Sequence, residues 1–167
     1  ASAFNPETLR WLDQQHIIAM RPEELGHRLL PYLRQAGLNV EEGPEPVELA
    51  RAYRERADTL LHMAASARYC YEDFEEIEPR SAKKHLRPVV LEPMREARRR
   101  LAELNDWTEE EIDRVIHESA EAHEINMGKL GQPIRVAVTG GPVSPPIDVT
   151  LTLVGRERTL KRLDDAI

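Results

Sequence analysis

Apolar residues recur at helical spacing along most of the chain. After Pro22, Leu25, Leu29 and Leu33 lie on one face of a predicted helix, and Gly37 supplies a stop. Similar patterns with start signals predict further helices beginning near Asn5, Val47, Thr59, Pro79, Val89, Thr108, Ile147 and Arg156. The pattern therefore predicts an all-α fold of about nine or ten short to medium helices.

One stretch, from Met127 to Thr150, departs from these packing patterns. It holds four of the chain's 12 prolines, which set off the apolar run Ile134–Val138. Because proline is tolerated at the first helical position, Pro133 predicts a helix start. The pair Gly140-Gly141 predicts its end, since glycine supplies the positive φ needed there.

The segment Ser144-Pro145-Pro146 then predicts an extended, proline-stiffened loop, and Ile147 or Asp148 begins the next helix. Such a loop has little conformational entropy left to lose and suits rigid presentation of backbone groups. A plain surface connection between two helices remains the alternative interpretation.

Composition places the chain among soluble globular proteins. Its 167 residues suit one domain or two small ones, with 41% hydrophobic and 32% charged residues. The single cysteine, Cys70, excludes an internal disulfide and favours a reducing cytoplasmic location. No apolar run reaches the roughly 20 residues of a membrane span, so no membrane partner is expected. The chain begins without methionine, and we expect it to be part of a longer protein.

The net charge of −7 by itself disfavours a nucleic-acid partner. The charge is unevenly distributed, however. Residues 127–167 carry 6 basic and 4 acidic side chains, a net +2, whereas residues 1–126 carry 17 basic and 26 acidic ones, a net −9. The acidity therefore lies outside the proline-rich stretch.

No familiar catalytic or metal-binding pattern stands out. We find no Ser–His–Asp or Cys–His arrangement, no phosphate-binding glycine loop and no metal-ligand spacing. The acidic run Glu72–Glu76 resembles a metal site only in composition, since consecutive carboxylates point several ways. An acidic helical module that docks protein partners is one hypothesis, and a metal- or cofactor-dependent hydrolase lacks the ligand cluster it would need.

Five segments, in order along the chain, resemble the C-terminal, anticodon-binding part of bacterial glutamyl-tRNA synthetase, a class I aminoacyl-tRNA synthetase. They are F-N-P-E-T-L-R-W-L, R-Y-C-Y-E-D-F, K-K-H-L-R-P, D-W-T-E-E-E and M-G-K-L-G-Q-P-I-R-V-A-V-T-G-G-P-V-S-P-P-I-D-V. The resemblance implies two consecutive helical subdomains, residues 1–78 and 79–167, that form an anticodon-binding helical cage. It also implies that this chain reads tRNA and has no catalytic site or cofactor of its own.

The catalytic signatures of that family, HIGH and KMSKS, are absent from the chain. The resemblance therefore implies a catalytic domain N-terminal to Ala1 in the same polypeptide, with the sites for ATP, magnesium and glutamate. The parent would be a monomeric cytoplasmic ligase that joins glutamate to glutamate tRNA.

The resemblance also assigns anticodon-binding residues. Positions matching those that contact the first two anticodon bases are Arg135, Thr139, Ser144, Pro145 and Ile147. Some family members carry an aromatic residue after the Ile147 position, where this chain has an aspartate.

Arg56 matches an arginine that recognises the third anticodon base, cytosine, in family members restricted to glutamate tRNA. Guanidinium donors pair with the O2 and N3 acceptors of cytosine, whereas guanine presents donors there. We therefore predict discrimination against glutamine tRNA, which differs at that base.

Further basic residues are candidates for phosphate contacts that position the RNA: Lys83, Lys84, His85, Arg87, Arg156, Arg158, Lys161 and Arg162. For each, a solvated helix end is the alternative. Because the chain is acidic and these charges are few, we expect weak, salt-dependent affinity for tRNA.

Overall fold

The computed structural model describes residues 14–167. They form two compact units, one ending at Glu72 and the other spanning Asp73–Ile167. The boundary after residue 78 that the resemblance implies lies a few residues further on and stays a prediction. Within the described residues the secondary structure is helical without strands, so the predicted all-α class is confirmed.

The first unit is built from three fully described helices, preceded by a helical segment at residues 14–19. These are α1 (Pro22–Gln35), α2 (Pro46–Tyr53) and α3 (Leu60–Ser66), with 3₁₀ turns at Val40–Glu42 and Arg68–Cys70. The predicted stripe on α1 is confirmed, because Leu25, Leu29 and Leu33 are fully buried. The predicted helix start at Asn5 lies outside the described residues.

Helices α1 and α2 approach closely at a glycine. A Cβ atom at Gly26 would lie only 2.8 Å from the backbone nitrogen of Val47. Real Cβ atoms do not come this close to a backbone, so the glycine permits the contact between the two helices.

The second unit contains six helices: α4 (Pro79–His85), α5 (Pro88–Ala102), α6 (Glu109–Ala122), α7 (Met127–Thr139), α8 (Ile147–Val154) and α9 (Arg156–Ala166). The predicted cap at Thr108 is confirmed, since its side chain accepts a hydrogen bond from the backbone N–H of Glu111. Val149–Val154, a run rich in β-branched residues, is helical as predicted.

The predicted start of α7 at Pro133 is wrong. The helix begins at Met127, capped by the Asn126 side chain, which accepts from the N–H of Lys129, and Pro133 lies inside it. Proline in a helix interior costs about 3 kcal/mol. Capping, worth about 1 kcal/mol, and burial of Leu130, worth about 1.5–3 kcal/mol, together offset that cost.

No helix within residues 14–167 is long and apolar enough to cross a membrane.

Candidate functional site

The loop between α7 and α8, residues 140–146, begins with a left-handed glycine. Gly140 has φ of 82° and donates its N–H to the carbonyl of Val136, so the predicted helix end is confirmed. Its carbonyl accepts a hydrogen bond from the N–H of Glu78 at 2.9 Å. A Cβ atom here would lie 3.3 Å from the Phe74 ring, so both conformation and space favour glycine.

The guanidinium group of Arg135 spans this loop. Nε donates to the hydroxyl of Ser144 at 2.8 Å, and one terminal nitrogen donates to the carbonyl of Pro145 at 3.3 Å. The other terminal nitrogen donates to the side-chain oxygen of Gln132. Because these donors sit in a rigid planar fork, the bonds to Ser144 and Pro145 fix the loop relative to α7, and the bond to Gln132 orients the guanidinium group.

Hydroxyl groups hold the two ends of the loop. At its start, Thr139 Oγ1 donates to the carbonyl of Arg135 at 2.8 Å and accepts from the N–H of Gly141 at 3.2 Å. At its end, the hydroxyls of Ser144 and Thr150 lie 2.8 Å apart, and each lies within 3.0 Å of the Pro145 carbonyl. The loop therefore has a defined shape before any ligand binds.

Three of the predicted base-contacting side chains face inward. Ser144 is 4% exposed and Ile147 8% exposed, and Pro145 is also buried. The side chains that face solvent are Pro142, Pro146 and Val143, the last 78% exposed. The structure thus brings Arg135, Thr139, Ser144, Pro145 and Ile147 together, and their contacts with RNA stay predictions.

Sequence reasoning missed two residues of this network, Gln132 and Thr150. Gln132 accepts from Arg135 and donates Nε2 to the carbonyl of Pro142 at 2.9 Å. Thr150 is fully buried in α8, between Val149 and Leu151 in the sequence. The sequence signal for Thr150 was a hydroxyl residue between two apolar ones. Its hydrogen bonds could not be predicted, because bonds across a loop depend on tertiary placement.

Arg56 belongs to the first unit and lies in the turn between α2 and α3. Its backbone N–H donates to the carbonyl of Tyr53, which ends α2, and its side chain is exposed. Arg56 therefore lies beyond the end of α2, although the helix that the sequence predicts from Val47 would extend to include it.

Three buried tyrosines of the first unit form hydrogen bonds through their hydroxyls. The hydroxyls of Tyr53 and Tyr69 lie 2.7 Å apart, and Tyr71 donates to the carbonyl of Pro44 at 2.7 Å. Burial raises the pKa of all three tyrosines well above the ordinary value, because the phenolate is poorly solvated inside the unit. The phenols therefore stay neutral at physiological pH.

Two of the arginines predicted to contact phosphate near the C-terminus bind partners within the protein. Arg162 is 5% exposed, donates to the carbonyl of Val138 at 2.7 Å, and lies 4.8 Å from the centre of the Phe74 ring. Arg156 donates to the carbonyl of Leu104 and stacks on Trp107 at 5.3 Å.

The two remaining C-terminal cations lie near carboxylates. Nε of Arg158 is 3.9 Å from Asp73, and Nζ of Lys161 is 3.5 Å from Asp165. Their roles in RNA binding stay predictions, and Lys161, on an exposed face, is the most accessible of the four C-terminal cations.

The other predicted cations lie on or after α4. Lys83, Lys84 and Arg87 are exposed, and His85 is half-buried. Lys84, His85 and Arg87 border a cavity that Lys83 does not line.

Comparisons with known proteins agree with this architecture. A family model described as an anticodon binding domain matches residues 24–167. This chain belongs to that anticodon-binding domain family.

Individual relatives of the domain are long proteins. This chain is 43% identical over all its 167 residues to glutamate–tRNA ligase 1 of Nitrosococcus oceani, and it covers 36% of that protein. The domain thus spans about a third of the length of the curated relative it matches.

The solved structures that match the domain have the same fold. One is a glutamate tRNA ligase from Elizabethkingia meningosepticum in complex with its amino acid, with a TM-score of 0.87 at 24% identity, covering 99% of this domain and 33% of that chain. Another is the glutamate–tRNA synthetase of Elizabethkingia anophelis, with a TM-score of 0.83 at 25% identity, covering 100% of this domain and 32% of that chain.

Proposed function

We propose that this domain binds the anticodon loop of glutamate tRNA, as the tRNA-reading part of a glutamate–tRNA ligase. The observation that carries the proposal is the family match over residues 24–167, together with the identity to a named glutamate–tRNA ligase. In such a ligase the catalytic domain, with its ATP and magnesium, belongs to the rest of the polypeptide, and the enzyme acts as a cytoplasmic monomer.

The α7–α8 loop supplies the base-reading surface in this proposal. Unpaired RNA bases are recognised by hydrogen bonds to their edges and by apolar contact with their faces. The bonds from Arg135 and Thr139 fix the loop's backbone, so its exposed residues meet a base without an ordering cost. Exposed Val143 and Pro146 offer apolar surface to the faces of the first two anticodon bases.

Ser144, Pro145 and Ile147 act in this proposal chiefly by shaping the loop. They are buried, and the Pro145 carbonyl already accepts hydrogen bonds from the loop network. Their part in RNA binding is therefore to position the exposed residues beside them. Arg56, exposed on its turn, reads the third anticodon base through its guanidinium donors.

Titration of the 167-residue chain with anticodon stem-loops, followed by NMR, tests the proposal. A glutamate-tRNA stem-loop should shift the amide signals of Arg135, Thr139, Ser144 and Ile147. The same stem-loop with guanine at the third anticodon position should shift them too, but should leave Arg56 unshifted. Absence of any shift at low salt would contradict the proposal and favour a protein-docking role.

A further inference from the structure

A second basic surface lies in the second unit, next to the loop. A cavity of about 630 Å³ opens where three segments meet: the end of α4, the start of α5 and the first half of α7. We call it the basic pocket. Its volume falls within the roughly 300–1,000 Å³ typical of small-ligand sites.

Basic side chains converge on the basic pocket from two parts of the chain. Lys84, His85 and Arg87 come from the end of α4 and the residues after it, and Lys129 comes from the first turn of α7. No carboxylate is among the residues that line the cavity. In a chain of net charge −7, this is a local concentration of positive charge.

These cations differ from their neighbours on α5. Each of the four arginines on α5, Arg95, Arg98, Arg99 and Arg100, forms an ion pair with a carboxylate. Within residues 14–167, Lys84, Arg87 and Lys129 form no ion pair or side-chain hydrogen bond. Their charges are therefore available to an anion.

Part of the lining of the basic pocket is apolar. It consists of Val89, Val90, Ile125 and Pro133, which we call the apolar wall, and Val89 is largely exposed. A site that combines several cations with an apolar wall matches the two parts of a nucleotide, the charged phosphate and the flat base. Free phosphate would use only the cations.

The basic pocket is continuous with the α7–α8 loop through one side chain. Gln132 lines the pocket and also bonds to Arg135 and to the carbonyl of Pro142. An RNA strand that lies on the loop therefore has its neighbouring nucleotides within reach of the pocket.

We propose that the basic pocket holds one unpaired nucleotide adjacent to the anticodon bases, with its phosphate between Lys84, Arg87 and Lys129. Its base or ribose packs on Val89 and Val90. The proposal rests on the function proposed above and adds Lys129 and the apolar wall to the RNA-binding surface.

Paired lysine variants of the 167-residue chain test the pocket. The variant Lys84→Ala/Lys129→Ala should bind a glutamate-tRNA anticodon stem-loop about tenfold more weakly at moderate salt. Its slope of log affinity against log salt should be shallower by up to about 0.7, since the one phosphate held in the pocket contributes about 0.7 to the slope for single-stranded RNA.

Arg80→Ala is the matched control, because Arg80 is an exposed basic residue on the same helix, lies outside the pocket and is not a predicted phosphate contact. It should change affinity less than twofold. Equal losses for the control and for each pocket lysine would mean a diffuse electrostatic effect and would overturn the proposal. Thermal unfolding of each variant checks that the fold is intact.

Removal of single bases from the stem-loop tests the apolar wall. One abasic position beside the anticodon triplet should weaken binding to the unaltered chain severalfold, and this loss should shrink in the Val89→Ser/Val90→Ser variant. If no abasic position behaves in this way, base packing in the pocket is contradicted. A cytidine monophosphate titration that saturates the pocket lysines, with stem-loop binding insensitive to their loss, would assign the pocket to a free nucleotide instead.

The Arg135→Lys variant separates the two proposals. If the unaltered chain does not bind the stem-loop at low salt, both proposals fail. If binding falls with Arg135→Lys but not with Lys84→Ala/Lys129→Ala, the basic pocket alone is overturned.

Discussion

The Nε of Arg135, on helix α7, donates a 2.8 Å hydrogen bond to the hydroxyl of Ser144, near the far end of the α7–α8 loop. The same guanidinium also reaches Gln132 and the carbonyl of Pro145. One side chain thus sets the distance between the helix and the loop, and this geometry leads to the first two predictions.

Replacement of Arg135 by lysine should weaken anticodon stem-loop binding about tenfold, which corresponds to about 1.4 kcal/mol. Lysine keeps the charge, but a single ammonium group cannot reproduce the planar fork that spans three acceptors. Fluorescence anisotropy with a labelled stem-loop measures the affinity. Arg114→Lys, at an exposed arginine paired with Glu111 and Glu118, is the control and should bind normally.

Thr150→Val should destabilise the second unit by about 1–2 kcal/mol, because valine removes a buried hydroxyl that bonds Ser144 and the Pro145 carbonyl. Urea unfolding measures the loss of stability, and amide hydrogen exchange locates it in α7 and α8. Thr152→Val is the matched control on the same helix, since the Thr152 hydroxyl is exposed and bonds only within the helix. Equal effects of the two substitutions would contradict a role for the hydroxyl pair.

Arg56→Gln should reduce discrimination against a stem-loop with guanine at the third anticodon position, by about 1–3 kcal/mol. The affinity ratio of the two stem-loops reports this change directly. Arg51→Gln serves as control, because Arg51 is also exposed in the first unit but lies near Glu23 and Glu48. An unchanged ratio for Arg56→Gln would show that Arg56 does not read that base.

Gly26→Ala should destabilise the first unit by about 1–3 kcal/mol, despite the roughly 1 kcal/mol that alanine gains over glycine in a helix. The added Cβ would meet the backbone of Val47, which cannot move aside as a flexible side chain would. Thermal unfolding provides the measurement. Gly131→Ala, at a helical glycine whose nearest neighbour is 3.9 Å away, should leave stability unchanged or raise it.

The buried tyrosines predict loss of stability at alkaline pH. Burial raises the folded-state pKa of Tyr53, Tyr69 and Tyr71, so above the ordinary pKa of about 10 the unfolded chain releases these protons and the folded one keeps them. The contribution of these tyrosines to the free energy of unfolding should therefore be constant below about pH 10 and fall above it. Tyrosinate absorbance should rise together with unfolding. Ionisation of these phenols in the intact fold would contradict the prediction.

Local signals made much of the fold predictable. Thr59 and Thr108 cap helices through their own side chains, and Gly140 ends α7 in the left-handed conformation. These features depend on a few neighbouring residues, so the sequence carries them directly. Pro133 misled the prediction because its cost is outweighed by tertiary burial, which local sequence does not show.

The candidate site was predictable in its location but not in its internal roles. The residues of the loop were identified by resemblance, yet whether a side chain faces RNA or holds the loop depends on packing. Arg156 and Arg162 are examples. Each guanidinium group contacts an aromatic ring and a backbone carbonyl that are distant in the sequence, and such contacts cannot be predicted locally. A solvated arginine and a buried one look the same in one sequence.

In the α7–α8 loop, the residues that fix the backbone conformation differ from the residues whose side chains are exposed. Pro142 and Val143 lie at its tip with exposed side chains, while the bonds that fix its course come from Gln132, Arg135, Thr139 and Thr150. Substitutions at the tip therefore alter the chemistry offered to a partner without disturbing the frame. Such a loop allows recognition to be re-tuned, by evolution or by design, one exposed residue at a time.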